Sequence, residues 1–208
     1  MGPLRLLVGC AVALSLAGCL GSSRASRFYT LAPLQVRDGP SSPPTDATLA
    51  IGPVEIPDSI DRAQIVTRTG ANELVVAEFD RWGSSLDREI TGSLVSTLAD
   101  RLGSQQVAVA PWRSAVLSGA GANYRAAISI SRFDGVPGQS VVLQGRWELI
   151  AESGEKGASL GVREVSITEK IEGIGYDALV AAMQRALVRF GQRMADTVAQ
   201  ATQMAKAP

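Results

Sequence analysis

Chemistry in this chain is concentrated in one short stretch near its start, Leu16-Ala17-Gly18-Cys19. One positive charge, Arg5, and an apolar segment from Leu6 to Leu16 lead into it, and small residues stand directly before the thiol. That is the layout of a secretory signal. With Leu, Ala and Gly before Cys it reads more narrowly as a lipobox, in which the cysteine is acylated and becomes the first residue of the mature chain. Two other readings stand beside it. An uncleaved transmembrane anchor needs about 20 apolar residues, more than lie before Cys19. A plain secretory signal would be cut at another position. Cys10, with Leu7-Val8-Gly9 before it, comes too early for a full apolar region and is discarded with the signal. Met1-Gly2-Pro3 is no myristoylation site, because that motif wants Ser or Thr where Leu6 stands.

Other side chains able to do chemistry are few. The sequence has no histidine, which removes His-based acid–base catalysis, His triads and most zinc sites. With Cys19 acylated and Cys10 removed, no thiol remains for a disulfide, even in an oxidising compartment. Carboxylate chemistry and a Ser–Lys pair stay open, but no motif supports either. Glu55, Asp58 and Asp61 cluster near a turn, and a carboxylate pair can do acid–base work. Asp in a turn is more simply turn chemistry. The glycines fall in turns, and none builds a phosphate-cradling loop. Trp82, Trp112 and Trp147 can line a lipid or glycan groove or pack in the core. Basic and acidic residues balance at 20 each, so a nucleic-acid footprint is absent. No cofactor and no metal are expected.

These side chains need elements to hold them. Cleavage before Cys19 leaves about 190 residues, one domain's worth and enough for a real core. The chain divides into a lipoprotein signal over 1–18, a lipidated flexible leash over 19–26, a single domain over 27–203 and a tail over 204–208. Leu20-Gly21-Ser22-Ser23-Arg24-Ala25-Ser26 is small, polar and unable to bury anything, hence a leash. Arg27-Phe28-Tyr29-Thr30-Leu31 predicts a first strand. Residues 35–46, carrying Asp38-Gly39-Pro40-Ser41-Ser42-Pro43-Pro44, predict a loop, and 48–56 a mostly buried strand. Gly52-Pro53 inside it requires an edge position or a bulge, because Pro cannot donate to a ladder. Residues 64–68 and 73–78 predict a hairpin around Thr69-Gly70-Ala71-Asn72, with Phe79-Asp80-Arg81-Trp82-Gly83 as a connector.

The period then changes. Leu86, Ile90, Leu94, Leu98 and Leu102, with Val95 beside them, form one stripe of an amphipathic helix. Ser84 or Ser85 can cap it, Asp87 suits its positive end, and Gly103 stands where a left-handed cap belongs. A short strand over 106–110 and a loop over 114–121 follow. Alternation at Tyr124, Ala126, Ile128 and Ile130, and again at Val141, Leu143, Gly145, Trp147 and Leu149, predicts two strands. With a third over 160–171 they make an antiparallel meander. Tyr176, Val180, Met183, Leu187, Phe190, Met194 and Val198, widened by Leu179 and Ala201, predict the longest helix. That spacing fits a coiled-coil seam, or more simply a helix packed on the sheet. The expected fold is α+β, a two-layer sandwich of a mostly antiparallel β-sheet with two helices packed on one face. The other sheet face carries Arg, Ser, Gln and Glu, free to meet water or a partner.

Several stretches together resemble the ABC-type transport auxiliary lipoprotein family. They are Leu49-Ala50-Ile51-Gly52-Pro53-Val54-Glu55-Ile56-Pro57-Asp58, then Asp61-Arg62, Gln64-Ile65-Val66-Thr67-Arg68 and Glu78-Phe79-Asp80-Arg81-Trp82. Arg27-Phe28-Tyr29-Thr30-Leu31 is similar to the family's Tyr-Thr-Leu start after its anchor. Arg132-Phe133, Gly145-Arg146-Trp147 and the Ala-rich last helix are similar to its second half, so the likeness runs from about Cys19 to about Ala199. Ser59-Ile60 and Ala63 depart from it, standing where the family pattern has Tyr-Leu and Pro.

The resemblance implies a non-enzymatic periplasmic lipoprotein working with an MCE-domain protein and, in many operons, an ABC ATPase and permease. Such systems move lipids between inner and outer membranes and support envelope integrity. No catalytic residue carries over. Asp61, Arg62, Gln64, Phe79, Asp80, Arg81 and Trp82 match the family and are either structural or a partner surface. Leu20 after Cys19 lacks the Asp that retains lipoproteins at the inner membrane, which favours the outer membrane. The leading expectation is an adaptor held by lipidated Cys19. A periplasmic lipid carrier with an acyl-chain groove is the alternative, and a carboxylate-using cell-wall enzyme a distant third. A phospholipid ligand and a homo-oligomer are both left open. One acyl chain binds membranes marginally while several anchor stably, so Cys19→Ser should move the protein from the membrane pellet to the soluble fraction. Unchanged pelleting would refute the lipobox.

Overall fold

Apolar stripes on two helices and the inward positions of a meander decide where this chain buries its surface. The computed structural model describes residues 24–31, 48–103, 107–110, 123–152 and 157–206. Cys19 with its signal, the loop over 35–46, Trp112 and the loop over 114–121 lie outside the described residues. In chain order the elements are β1 (Arg27–Tyr29), β2 (Leu49–Glu55), β3 (Gln64–Arg68), β4 (Leu74–Trp82), α1 (Leu86–Leu102), β5 (Val107–Val109), β6 (Tyr124–Val136), β7 (Ser140–Ala151), β8 (Ala158–Lys170) and α2 (Gly175–Lys206).

The strands form a small sheet of order β1-β4-β3 and a large one of order β5-β2-β6-β7-β8. The meander is as expected: β6, β7 and β8 pair antiparallel in sequence order. Helix α1 lies on β2 and β5, and α2 lies across β6, β7 and β8 and against α1. The chain is therefore an α+β sandwich, as the hydrophobic patterning requires. The sheets are mixed, because β2 runs parallel to both β5 and β6, and β1 runs parallel to β4. Parallel neighbours need a crossover. For β2 and β5 that crossover is the β3–β4 hairpin followed by α1.

Local patterning misplaces one segment. Residues 79–82 are not a connector but the last four of the nine residues of β4. They pair with β1 through Arg27↔Asp80, Phe28↔Arg81 and Tyr29↔Trp82, a long-range ladder that no local signal announces. Gly52-Pro53 sits in an interior strand, and the register of β2 on β6 shifts between Ile51 and Val54. Of the two solutions open to an in-strand proline, the bulge is the one used. At the start of α1, Ser85 occupies the cap position without a side-chain cap bond. Its hydroxyl instead accepts from Arg88 Nε at 2.8 Å, and Ser84 donates to Glu89 at 2.8 Å. Gly103 closes the helix in the left-handed region at φ 58°, its N–H bonding to the Ala99 carbonyl.

Leu86, Ile90, Leu94, Leu98 and Leu102 of α1 are all buried against Leu187, Phe190, Met194 and their neighbours on α2 and the sheet. The two helices come close where Gly191 faces Thr97: a β-carbon at Gly191 would stand 2.8 Å from Thr97 Cγ2. Two buried carboxylates fasten the layers. Asp134 on β6 receives Arg68 of β3 at 3.0 Å and 3.2 Å, and Arg132 at 3.0 Å, which ties the small sheet to the large one. The Arg68 guanidinium is held further in its charged form by that bond to Asp134. Glu169 on β8 lies 2.8 Å from Arg189 and 3.6 Å from Arg185 of α2.

Gly145 gives the packing a sharp test. A β-carbon there would stand 2.6 Å from the Ser129 carbonyl oxygen and 3.0 Å from Ile130 Cα, and backbone cannot step aside. Gly145→Ala should lower stability by ~1–3 kcal/mol, read as a shift in the urea midpoint. Gly92→Ala, in open space on α1, should raise it by ~0.5–1 kcal/mol.

Candidate functional site

The seven family-matching residues come together at the small sheet, and the alternation of β4 sorts them. Residues paired across a ladder share a face. Arg27, Tyr29, Asp80 and Trp82 therefore lie on one side, and Phe28, Arg81 and Gln64 on the other. The first side faces the core: Tyr29, Asp80 and Trp82 are buried. On the second, Phe28 is 67% exposed, and Gln64 and Arg81 are half-buried. Phe79 is also half-buried, and Asp61 and Arg62 are exposed in the turn before β3. So the candidate surface divides into a structural set, Asp80 and Trp82, and an accessible set, Asp61, Arg62, Gln64, Phe79 and Arg81.

The structural set centres on the Asp80 carboxylate. The Tyr29 hydroxyl donates to it at 3.0 Å, and Arg27 Nη2 lies 2.7 Å away. Tyr176, at the start of α2, tilts against Tyr29 with ring centroids 6.2 Å apart. Burial, and then the bond to Asp80, push the Tyr29 hydroxyl up to about 12 from its ordinary 10.0. Burial, and then the Asp80 charge, raise Tyr176 as well. Just beyond β1, the Leu31 amide donates to Glu89 at 2.9 Å, and the Gly83 amide donates to the Tyr29 carbonyl at 2.7 Å. Strand β1 is thus clamped to β4 and to the first turn of α1. Arg27, Tyr29, Glu89 and Tyr176 carry this clamp, and patterning read them only as strand or helix residues. The available signal was the alternation of Arg27 and Tyr29 around an exposed Phe28.

The accessible set includes one shielded donor without a partner. Arg81 Nε is buried and makes no hydrogen bond among the described residues. Trp82 and Trp147 are buried core residues, the latter with the Arg163 guanidinium over its ring at 5.6 Å. Trp147 also borders two open cavities, one lined in addition by Val162 and the other by Arg163, and Trp112 lies outside the described residues. Glu55, Asp58 and Asp61 are exposed. Among the described residues no group of three or more His, Cys, Asp or Glu could hold a metal ion. Nor is any helix among them long and apolar enough to cross a membrane.

What these features define is an α+β domain whose first strand is pinned to the core beside an accessible mixed surface. The ABC-type transport auxiliary lipoprotein component profile matches residues 29–195. The chain belongs to that family. It is 25% identical over 175 residues to the intermembrane transport lipoprotein PqiC of Escherichia coli K12, covering 82% of this chain and 85% of the relative. A Xanthomonas campestris protein of known crystal structure shares the fold at TM-score 0.69 and 20% identity, covering 86% of this chain and 98% of the other. An uncharacterised protein shares it at TM-score 0.65 and 22% identity, with 84% and 99% covered.

Asp80→Ala strands the Tyr29 hydroxyl in the core and should cost ~1–3 kcal/mol in chemical denaturation. The tyrosine value is raised in the fold, so its stabilisation is complete below pH 10 and is lost as pH climbs from 10.0 to about 12. Tyr29→Phe should flatten that alkaline limb of the stability profile. An unchanged limb would show that Tyr29 does not report on this clamp.

Proposed function

We propose that this chain is the non-enzymatic adaptor of an ABC-associated, MCE-type lipid transport system. In this reading the acylated Cys19 holds it in the outer membrane, facing the periplasm, where it supports envelope integrity. Membership of the transport auxiliary family supports the coarse assignment. The observation that carries the adaptor role is the Asp80 clamp. Arg27 stands eight positions after Cys19, a span of at most about 28 Å. A force on the tether therefore reaches β4 and α1 directly through β1.

The partner surface is the accessible side of the small sheet. Phe28 supplies an exposed aromatic anchor, Arg81 and Gln64 supply donors beside it, and Asp61 and Arg62 supply a charged rim. Aromatics and Arg at the centre of a patch with a polar rim suit a protein partner. The chain has no phosphate-cradling loop, so energy from ATP enters through a different subunit.

Affinity capture of the tagged full-length protein from detergent-solubilised envelopes tests this. An MCE-domain protein should be recovered with the tagged chain. Arg81→Glu should lower its recovery about tenfold without changing the melting temperature. Stoichiometric phospholipid with no MCE partner would replace the adaptor with a lipid carrier.

A further inference from the structure

Along the last turns of α2, the helix and the ends of β7 and β8 leave an apolar trough of about 400 Å³. Leu149, Ala151, Leu160, Ala201 and Met204 line it, with Arg163 at its rim. It is open to solvent: Leu160 is 41% exposed and Met204 71%. A second cavity of about 320 Å³ adjoins it, sharing Arg163 and Thr197 and adding Arg193 and Glu164. Arg163 stacks on Trp147 and makes no ion pair with any described residue. Among the described residues the Arg193 side chain is engaged only by the Ser166 carbonyl, at 3.4 Å. An apolar channel that ends on two guanidinium groups free of carboxylates has the polarity of an amphiphile with an anionic head.

We propose that this trough binds one acyl chain of an anionic phospholipid, with the lipid phosphate against Arg163 and Arg193. The volume falls within the ~300–1,000 Å³ of ordinary ligand pockets. It holds one hydrocarbon chain and leaves the second chain outside. Planar guanidinium groups match phosphate oxygens in pairs, and the Trp147 ring keeps Arg163 oriented toward the mouth. Glu164 also lines the polar cavity, and its charge limits that cavity to a single anionic group. The site itself does not depend on the adaptor reading. Its placement relative to the membrane does: the trough lies at the opposite end of α2 from Tyr176, which touches the leash-bearing strand. A lipid held there has left the bilayer that anchors the protein.

The test uses full-length lipoprotein in nanodiscs and a lysophosphatidylglycerol carrying a diazirine at the end of its single chain, supplied below its critical micelle concentration. After irradiation, peptide mass spectrometry should place adducts on Leu160, Ala201 and Met204. Ala201→Trp, which fills the trough, and Leu160→Asp, a change at a solvent-exposed position, should each lower the adduct yield about tenfold. Arg163→Gln should lower it by a similar factor for the anionic probe and leave a neutral diazirine alkane unaffected. Adducts confined to the Phe28 and Tyr176 end, or a yield that Ala201→Trp and Leu160→Asp leave unchanged, would overturn the site. Equal losses for both probes with Arg163→Gln would overturn the anionic headgroup. Recovery of an MCE-domain protein in the capture experiment is independent of each of these results.

Discussion

A carboxylate that loses most of its water on folding must find compensating partners, and Asp80 finds them in Arg27 and Tyr29. Both lie on a strand of three residues, too short to hold itself in place by backbone bonds alone. The chemistry and the topology depend on each other here. Without β1, Asp80 is a buried charge with an unsatisfied oxygen. Without Asp80, β1 is a short edge strand with an exposed aromatic and little reason to stay. The Tyr29 ring extends the dependence to Tyr176 and so to the start of α2. One polar cluster thus joins the entry of the chain, the small sheet and the long helix. A salt bridge as exposed as the Arg27 arm contributes little alone. The weight falls on the buried hydroxyl–carboxylate bond.

Asp134 and Glu169 repeat the device at two other seams. Each is a buried acid served by two guanidinium groups, at least one of them from a neighbouring layer. Removing either acid would leave arginines without a counter-charge, while removing one arginine leaves the acid partly served. Breaking a buried pair is generally more costly than the pair is worth. These residues therefore specify how the layers meet more than they add to net stability. Apolar burial along α1 and α2 supplies the bulk.

Periodicity made the two helices, the meander and the α+β class legible. Leu86 to Leu102 and Tyr176 to Val198 repeat on one helical face, and the inward positions of β6 and β7 alternate without ambiguity until the register shift after Ile130. What periodicity could not carry was partnership across long distances. Residues 79–82 look like a connector because their alternation is interrupted by a polar pair. They are a strand because β1, some fifty positions earlier, lies beside them on one edge and the start of β3 on the other. The division into two sheets was hidden for the same reason. The candidate surface was legible as a set of residues but not as two faces, since a family match records which positions are shared and not which way they point.

That division changes what an altered residue on β4 can mean. Asp80, Arg81 and Trp82 are consecutive, yet the middle one serves the accessible side and its neighbours serve the core. A change at Arg81 removes a donor from the surface while leaving the Tyr29–Asp80 bond intact. A change at Asp80 loosens β1 and with it the position of Phe28 on the accessible side. Loss of partner capture from an Asp80 variant therefore says nothing about contact, because the anchor aromatic moves with the clamp. Loss from an Arg81 variant of unchanged stability does. Because Phe28 stands between Arg27 and Tyr29, the position of the exposed aromatic is set by the same buried carboxylate that holds the strand in place.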